Sequence, residues 1–172
     1  MKKVKGLGMN IFRKHQIVIN IIFDDNYGFK ESVIKKIIRK TINLTLSELN
    51  DDYKKKYEVN ILLAQNEQMK KINRKYRKID KVTNVLSFPQ GEIMSKLGKE
   101  KLLLGDIVLS LDKLRNEAED QSKKFNNHLT HIIMHGFMHL LGFDHENEKE
   151  AKVMEEKEKD ILLKLSIDDP YI

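Results

Sequence analysis

Five of the six histidines of this 172-residue chain lie between positions 128 and 145, and the segment HIIMHGFMHLLGFDH at 131–145 carries four of them. His135 and His139 are four residues apart. On a helix they differ by about 40° in direction and sit one turn apart, so both imidazoles can face one metal ion. His145 lies six residues further on. If the helix continued, His145 would point about 240° away and lie roughly 9 Å along the axis. Gly142 removes the difficulty, because a left-handed residue there ends the helix and turns the chain back toward the other two histidines. Three nitrogen ligands leave a fourth position open on zinc, which is the arrangement of a catalytic rather than a structural site. The chain contains no cysteine, which excludes disulfides and every thiolate-ligated metal site. Three histidines also suit nickel, cobalt or iron.

The rival set is all-helical: His131, His135 and His139. Its eight-residue span rises about 12 Å, too far for good bonds to one ion from both ends. His131 is therefore placed behind the ligands, in the packing, or on the substrate side. Asp144, next to His145, either orients a ligand imidazole or stays solvated. Gly136 follows His135 where HExxH metalloproteases carry a glutamate base, so peptide hydrolysis by that route is disfavoured. A small residue there lets a neighbouring element approach closely. Leu129, Ile132, Ile133, Phe137, Leu140 and Leu141 give the same helix a core face, and burial suits a rigid ligand set.

Around this segment the hydrophobic pattern alternates between strand and helix. Residues 17–23, 57–63, 82–88 and 102–109 read as strands, with Pro89 stopping the third and Gly105 marking a bulge or close backbone approach in the fourth. Helical stripes cover 29–45, 66–76 with Asn66 as cap, 112–122, a stretch from 126 or 127 to 141, and 146–165. Residues 90–99, with two glycines, read as an exposed loop. The apolar side of the last helix (Met154, Ile161, Leu162, Leu165) is sparse, which points to peripheral packing. The expected architecture is α+β, a single domain over residues 1–172. It has a small mixed four-stranded sheet, about five helices and a zincin-like central metal-binding helix. No glycine-rich phosphate loop follows the first strand, which argues against a doubly wound sheet and against a nucleotide cofactor. No segment approaches a bilayer-spanning run, and the basic start is not followed by an apolar stretch of secretory length, so no membrane association and a cytoplasmic location are expected.

Charge is unevenly spread. Residues 111–172 hold 9 basic and 14 acidic side chains, while residues 1–110 hold 23 basic and 12 acidic. The densest basic stretch is 70–81, with Lys70, Lys71, Arg74, Lys75, Arg77, Lys78 and Lys81 against a single acid, Asp80. Such asymmetry favours a polyanionic partner. These side chains supply affinity for a phosphate backbone rather than sequence reading. Asp106, in the bulged fourth strand, is a candidate for the same cleft or a structural residue.

These segments resemble the YbeY family, the bacterial rRNA maturation factors described as single-strand-specific, metal-dependent endoribonucleases. The family motif HGxLHLxGxDH corresponds to residues 135–145, with Met138 in place of the usual leucine and Phe143 where tyrosine is common. A second family segment matches Asn73, Tyr76, Arg77, Asp80 and residues 83–89, with Asn84 where aspartate is frequent. A third matches Leu104, Gly105, Asp106 and Ile107 through Ser110. The resemblance implies His135, His139 and His145 as ligands of one zinc ion per chain. It implies Arg77 as a functional arginine in the cleft, so that Arg77, His135 and His139 form the catalytic set. It also implies single-stranded RNA as substrate, a role in 16S 3′-end processing and ribosome quality control, and the small ribosomal subunit as partner. Two other readings stand beside it. One is a ribosome-associated assembly factor whose zinc is mainly structural. The other is a metal-dependent hydrolase of a non-RNA substrate.

Overall fold

Residues alternate along the second strand between full burial (Tyr57, Val59, Ile61, Leu63) and partial exposure (Glu58, Asn60, Leu62). One sheet face is therefore packed on helices and the other is largely open. The structure is a computed structural model that describes residues 16–24, 28–50, 55–90 and 101–171. Its elements are β1 (Gln16–Phe23), α1 (Glu31–Leu49), β2 (Lys56–Leu63), α2 (Asn66–Arg77), β3 (Val85–Pro89), β4 (Lys101–Leu109), α3 (Leu111–Asp120), α4 (Phe125–Leu140) and α5 (Glu148–Lys164). The strand order is β1-β2-β4-β3. The first two pairings are parallel and β3–β4 is antiparallel, so the sheet is mixed as expected.

Helix α4 is the centre of the molecule. It lies against β3 and β4 on one side and against α1, α3 and α5 on the others. Leu129, Ile133 and Phe137 bury completely in the main core with Ile38, Ile42, Ile107 and Leu109. On the far side Met134 and Met138 pack with Met154, Ile161 and Leu162 of α5. The last helix is thus less peripheral than its sparse pattern suggests, because two flexible methionines of α4 complete its apolar side. Helix α2 covers one end of the opposite sheet face through Met69 and Ile72, over Leu86 and Val108.

Element boundaries differ from the sequence expectation where side chains capture the backbone. Helix α1 runs on to Leu49 because the stripe continues through the buried Thr45 and Leu46. Asn66 lies inside the first turn of α2, with Gln65 at the cap, and its Oδ1 accepts the Ser110 hydroxyl at 2.6 Å. Strand β3 begins at Val85 rather than at residue 82. Ahead of it the Lys81 carbonyl accepts Asn73 Nδ2 at 2.8 Å, and the Asn84 carbonyl accepts the Ser110 amide at 3.0 Å, so this stretch is committed elsewhere. Pro89 does not stop the strand but forms its last rung, opposite Gly105. An edge strand tolerates a residue with no N–H. Gly105 has φ +142, and the β2–β4 register slips there so that Leu104 is the extra residue, the expected bulge. Asn147 caps α5 by accepting the Lys149 and Glu150 amides at 3.1 and 3.0 Å. The loop expected at 90–99 lies outside the described residues apart from Gln90. No helix among the described residues is long and apolar enough to cross a membrane.

Candidate metal centre

The exit of α4 brings the histidines together. Leu141 is the cap and Gly142 takes φ +91. The Gly142 amide donates to the His139 carbonyl and the Phe143 amide to the Met138 carbonyl, both at 3.1 Å. This paired closure ends the helix and reverses the chain. Asp144 Oδ1 then accepts the His145 amide at 2.8 Å and holds the turn.

As a result the imidazoles of His135, His139 and His145 converge, each offering a ring nitrogen within 4.8 Å of the others. Ring centroids are 4.8 Å apart for His135–His139, 5.0 Å for His139–His145 and 5.4 Å for His135–His145. His131 stays outside this cluster, with its ring 6.4 Å from that of His135. The helical pair plus a histidine beyond the turn is therefore the set brought to one point.

Two of the rings are oriented from behind. His139 Nδ1 donates to the Phe143 carbonyl at 3.0 Å. His135 Nδ1 donates to Glu158 Oε1 at 2.9 Å. Both acceptors leave the proton on Nδ1, so both Nε2 lone pairs face the cluster, 3.2 Å from each other. Two lone pairs at that distance repel unless a cation lies between them. A tetrahedron built on zinc–nitrogen bonds of about 2.0–2.1 Å has edges of about 3.3 Å, so the spacing fits a shared ion. His139 is also held below its ordinary pKa, first by burial and then by the neighbouring His135 and His145, against the pull of the Phe143 carbonyl and Asp144. That favours the neutral, ligating form.

Glu158 is the residue that sequence reasoning missed. It lies on α5, fully buried, and its Oε2 accepts His131 Nε2 at 3.3 Å and the Tyr171 hydroxyl. Burial alone raises its pKa, but the hydrogen bonds from His131, His135 and Tyr171 outweigh it and bring the value down to about 2. One glutamate in a charged, weakly amphipathic helix gives no local sign of this. The only signal is its i, i+4 position from the buried Met154, which puts it on the core face. Asp144 is exposed and 4.0 Å from His139 Nδ1, so its main partner is the turn backbone, not a ligand ring.

Beside the cluster runs an open groove of about 280 Å³, lined by Asn73, Arg77, Lys81, Ser87, His135 and His139 among others. Arg77 ends α2, and Lys78 follows it in a left-handed conformation with φ 62. Asn73, itself buried, ties the next turn down through the Lys81 carbonyl. The exposed Arg77 side chain makes no hydrogen bond or ion pair among the described residues. The rest of the basic stretch spreads over the exposed side of α2. Lys70 and Arg74 lie 4.0 and 3.9 Å from Asp80, Lys75 sits over the Tyr76 ring, and Lys78 Nζ donates to the Lys75 carbonyl. Lys71 is exposed on the same helix. Asp106 is not in this groove. Its side chain lies on the sheet face away from α4, where Oδ1 accepts Asn60 Nδ2 at 2.8 Å, because it alternates with the core-facing Ile107.

Comparison with known proteins points to one family. A family model described as Endoribonuclease YbeY matches residues 20–166. The chain is 40% identical over 156 residues to the Endoribonuclease YbeY of Bartonella bacilliformis, covering 90% of this chain and 97% of that one. It is 38% identical over 144 residues to that of Bradyrhizobium diazoefficiens, covering 83% and 78%. Among solved structures it is similar to the solution structure of TM1509 from Thermotoga maritima, with a TM-score of 0.57 and 26% identity over 84% of this chain and 87% of that one.

Proposed function

This chain belongs to the endoribonuclease YbeY family, and on that premise we propose that it is a zinc-dependent endoribonuclease specific for single-stranded RNA. The observation that carries the reading is the convergence of three imidazoles, two of which, His135 and His139, line one open groove with Arg77 and Lys81. The reading takes residues 1–172 as one domain holding one zinc ion. The substrate it assigns is ribosomal RNA on the small ribosomal subunit, with 16S 3′-end processing and ribosome quality control as the role, which places the protein in the cytoplasm.

His135, His139 and His145 would hold the metal. Zinc bound there supplies positive charge beside a phosphodiester and lowers the pKa of water. Arg77, with its planar fork, grips the non-bridging oxygens on which charge builds during cleavage. Lys81 holds a neighbouring phosphate, and Lys70, Lys71, Arg74, Lys75 and Lys78 extend the positive track along α2. An open groove beside a sheet edge admits a single strand more readily than a stiff duplex.

The test compares purified, zinc-loaded protein on a single-stranded RNA and on the same strand fully paired. Cleavage of the single strand alone, abolished with metal loss in His135→Ala, is the expected result. Equal activity in the metal-free variant defeats the reading. Binding to the small subunit with no cleavage in any form favours an assembly factor instead.

A further inference from the structure

Glu158 is a carboxylate wholly removed from water on a helix whose other buried side chains, Met154, Ile161 and Leu162, are apolar. Such burial costs several kcal/mol unless every lone pair finds a donor. Here the donors are His135 Nδ1, His131 Nε2 and the Tyr171 hydroxyl. The arrangement has a chemical consequence at His135. An imidazole in water favours the proton on Nε2, the nitrogen that faces His139. The carboxylate reverses that preference and leaves the Nε2 lone pair free.

Tyr171 reaches Glu158 because the chain folds back after α5. Ser166 takes φ 57, which turns the strand of chain away from the helix axis. The Pro170 carbonyl then accepts Lys123 Nζ at 2.8 Å, across the α3–α4 connection. Asp169 accepts the Tyr171 amide at 2.9 Å and pairs with Lys159 at 3.1 Å. The Tyr171 ring packs edge-on to His131 at 5.6 Å. The tail is thus tied at three points, and its last link is a hydroxyl on the carboxylate behind a ligand.

We propose that Glu158 is a positioning residue for the metal centre, and that the C-terminal tail, through Tyr171, helps to set metal affinity. The proposal rests on the reading of His135, His139 and His145 as metal ligands. It adds that two residues outside the groove lining, neither of them a ligand, decide how well His135 binds. A carboxylate behind a metal-bound histidine fixes its tautomer and raises its basicity, and loss of such a group costs about 10- to 100-fold in affinity.

The experiment measures zinc affinity by chelator competition, together with imidazole nitrogen shifts of the metal-free protein by NMR. Wild-type His135 is expected as the Nδ1–H tautomer. Glu158→Gln is expected to shift it toward Nε2–H and to weaken zinc binding by about 10- to 100-fold. Tyr171→Phe removes one of the three donors to Glu158 and should change zinc binding by roughly two- to tenfold. Tyr171 is 44% exposed, so this variant folds and carries the test even if Glu158→Gln does not. Ser110→Ala, which removes the cap of α3, controls for general destabilisation and should leave zinc affinity unchanged. Wild-type affinity in both Glu158→Gln and Tyr171→Phe, with the His135 tautomer unmoved, overturns the proposal while leaving the metal centre standing. A wild-type protein that takes up no zinc overturns the metal centre itself, and this proposal with it.

Discussion

The Ser87 hydroxyl donates to the Gly136 carbonyl at 2.9 Å, where β3 crosses α4 one residue from His135. A Cβ at position 136 would meet Ser87 Oγ and Val85 Cγ2 at 3.0 Å and Ile107 Cγ2 at 3.5 Å. The helix can lie this close to the sheet only without a side chain there. Gly136→Val should lift α4 off β3, cost about 1–3 kcal/mol of stability by overpacking, and weaken metal binding at His135. Urea unfolding of the metal-free protein checks the first effect and chelator competition the second.

Gly105 makes a stronger demand. Its φ of +142 is open to glycine, and a Cβ there would overlap the Phe88 carbonyl oxygen. Gly105→Ala should cost about 3 kcal/mol or more, from backbone strain and clash together. A loss below about 0.5 kcal/mol in urea unfolding would show that the bulge relaxes freely.

The three imidazoles are not equivalent. His135 and His139 are partly buried with their rings held from behind, while His145 is exposed on the loop. His135→Ala and His139→Ala should abolish zinc retention through gel filtration, and His145→Ala should weaken it without abolishing it. In wild-type protein, free zinc at 100 times its dissociation constant should stabilise the fold by about 2.7 kcal/mol. The same zinc should leave the His135→Ala melting temperature unmoved.

Arg77 and Lys71 separate chemistry from affinity. Both are exposed, but only Arg77 lines the groove with His135 and His139. Arg77→Ala should keep full zinc content and lose about 10²–10³ in cleavage rate. Lys71→Ala should change the salt dependence of RNA binding by about 0.7 in log–log slope, with little effect on turnover. Equal loss of turnover in the two would sink the distinction.

Glu117 titrates with the fold. Burial pushes its pKa up, but hydrogen bonds from His128 Nε2 at 3.0 Å and Asn84 Nδ2 at 2.9 Å, with Lys113 nearby, carry it below the ordinary 4.5. A carboxylate depressed in the folded state stabilises the protein above its unfolded value, and the contribution disappears as pH falls through the folded value. Glu117→Gln should therefore cost stability at pH 7, and the gap to wild type should close as pH falls below 4.5. Asn84→Asp would set a second carboxylate against Glu117 and should raise its pKa, read from carboxyl carbon shifts by NMR. Asn84 carries no charge and donates to Glu117, so it is suited to the glutamate across from it in this chain.

Local spacing made the core of the site legible. A spacing of four residues from His135 to His139, and a glycine before His145, describe a helix and its reversal without reference to the rest of the chain. The bulge at Gly105 was legible for the same reason. Boundaries failed at residues 82–84 and at Asn66, where the backbone or side chain is taken up by a partner distant in sequence. For Asp106 and Asp144 the local sequence left two placements open. An acidic residue next to a motif says nothing of which face it lies on, and here one lies across the sheet from α4 while the other holds a turn.

The sequence by itself determined the mixed α+β architecture, the central helix and the convergence of three histidines, because periodicity and a turn residue act over a few neighbouring positions. Only the tertiary structure decided which groups stand behind and beside those histidines. Glu158 meets His135 from 23 residues away and the Ser87 hydroxyl meets Gly136 from 49, while Arg77 enters the groove from the end of a different helix. Such contacts depend on how helices and strands pack against each other, and that packing is set by the sum of buried surfaces rather than by any short run of residues.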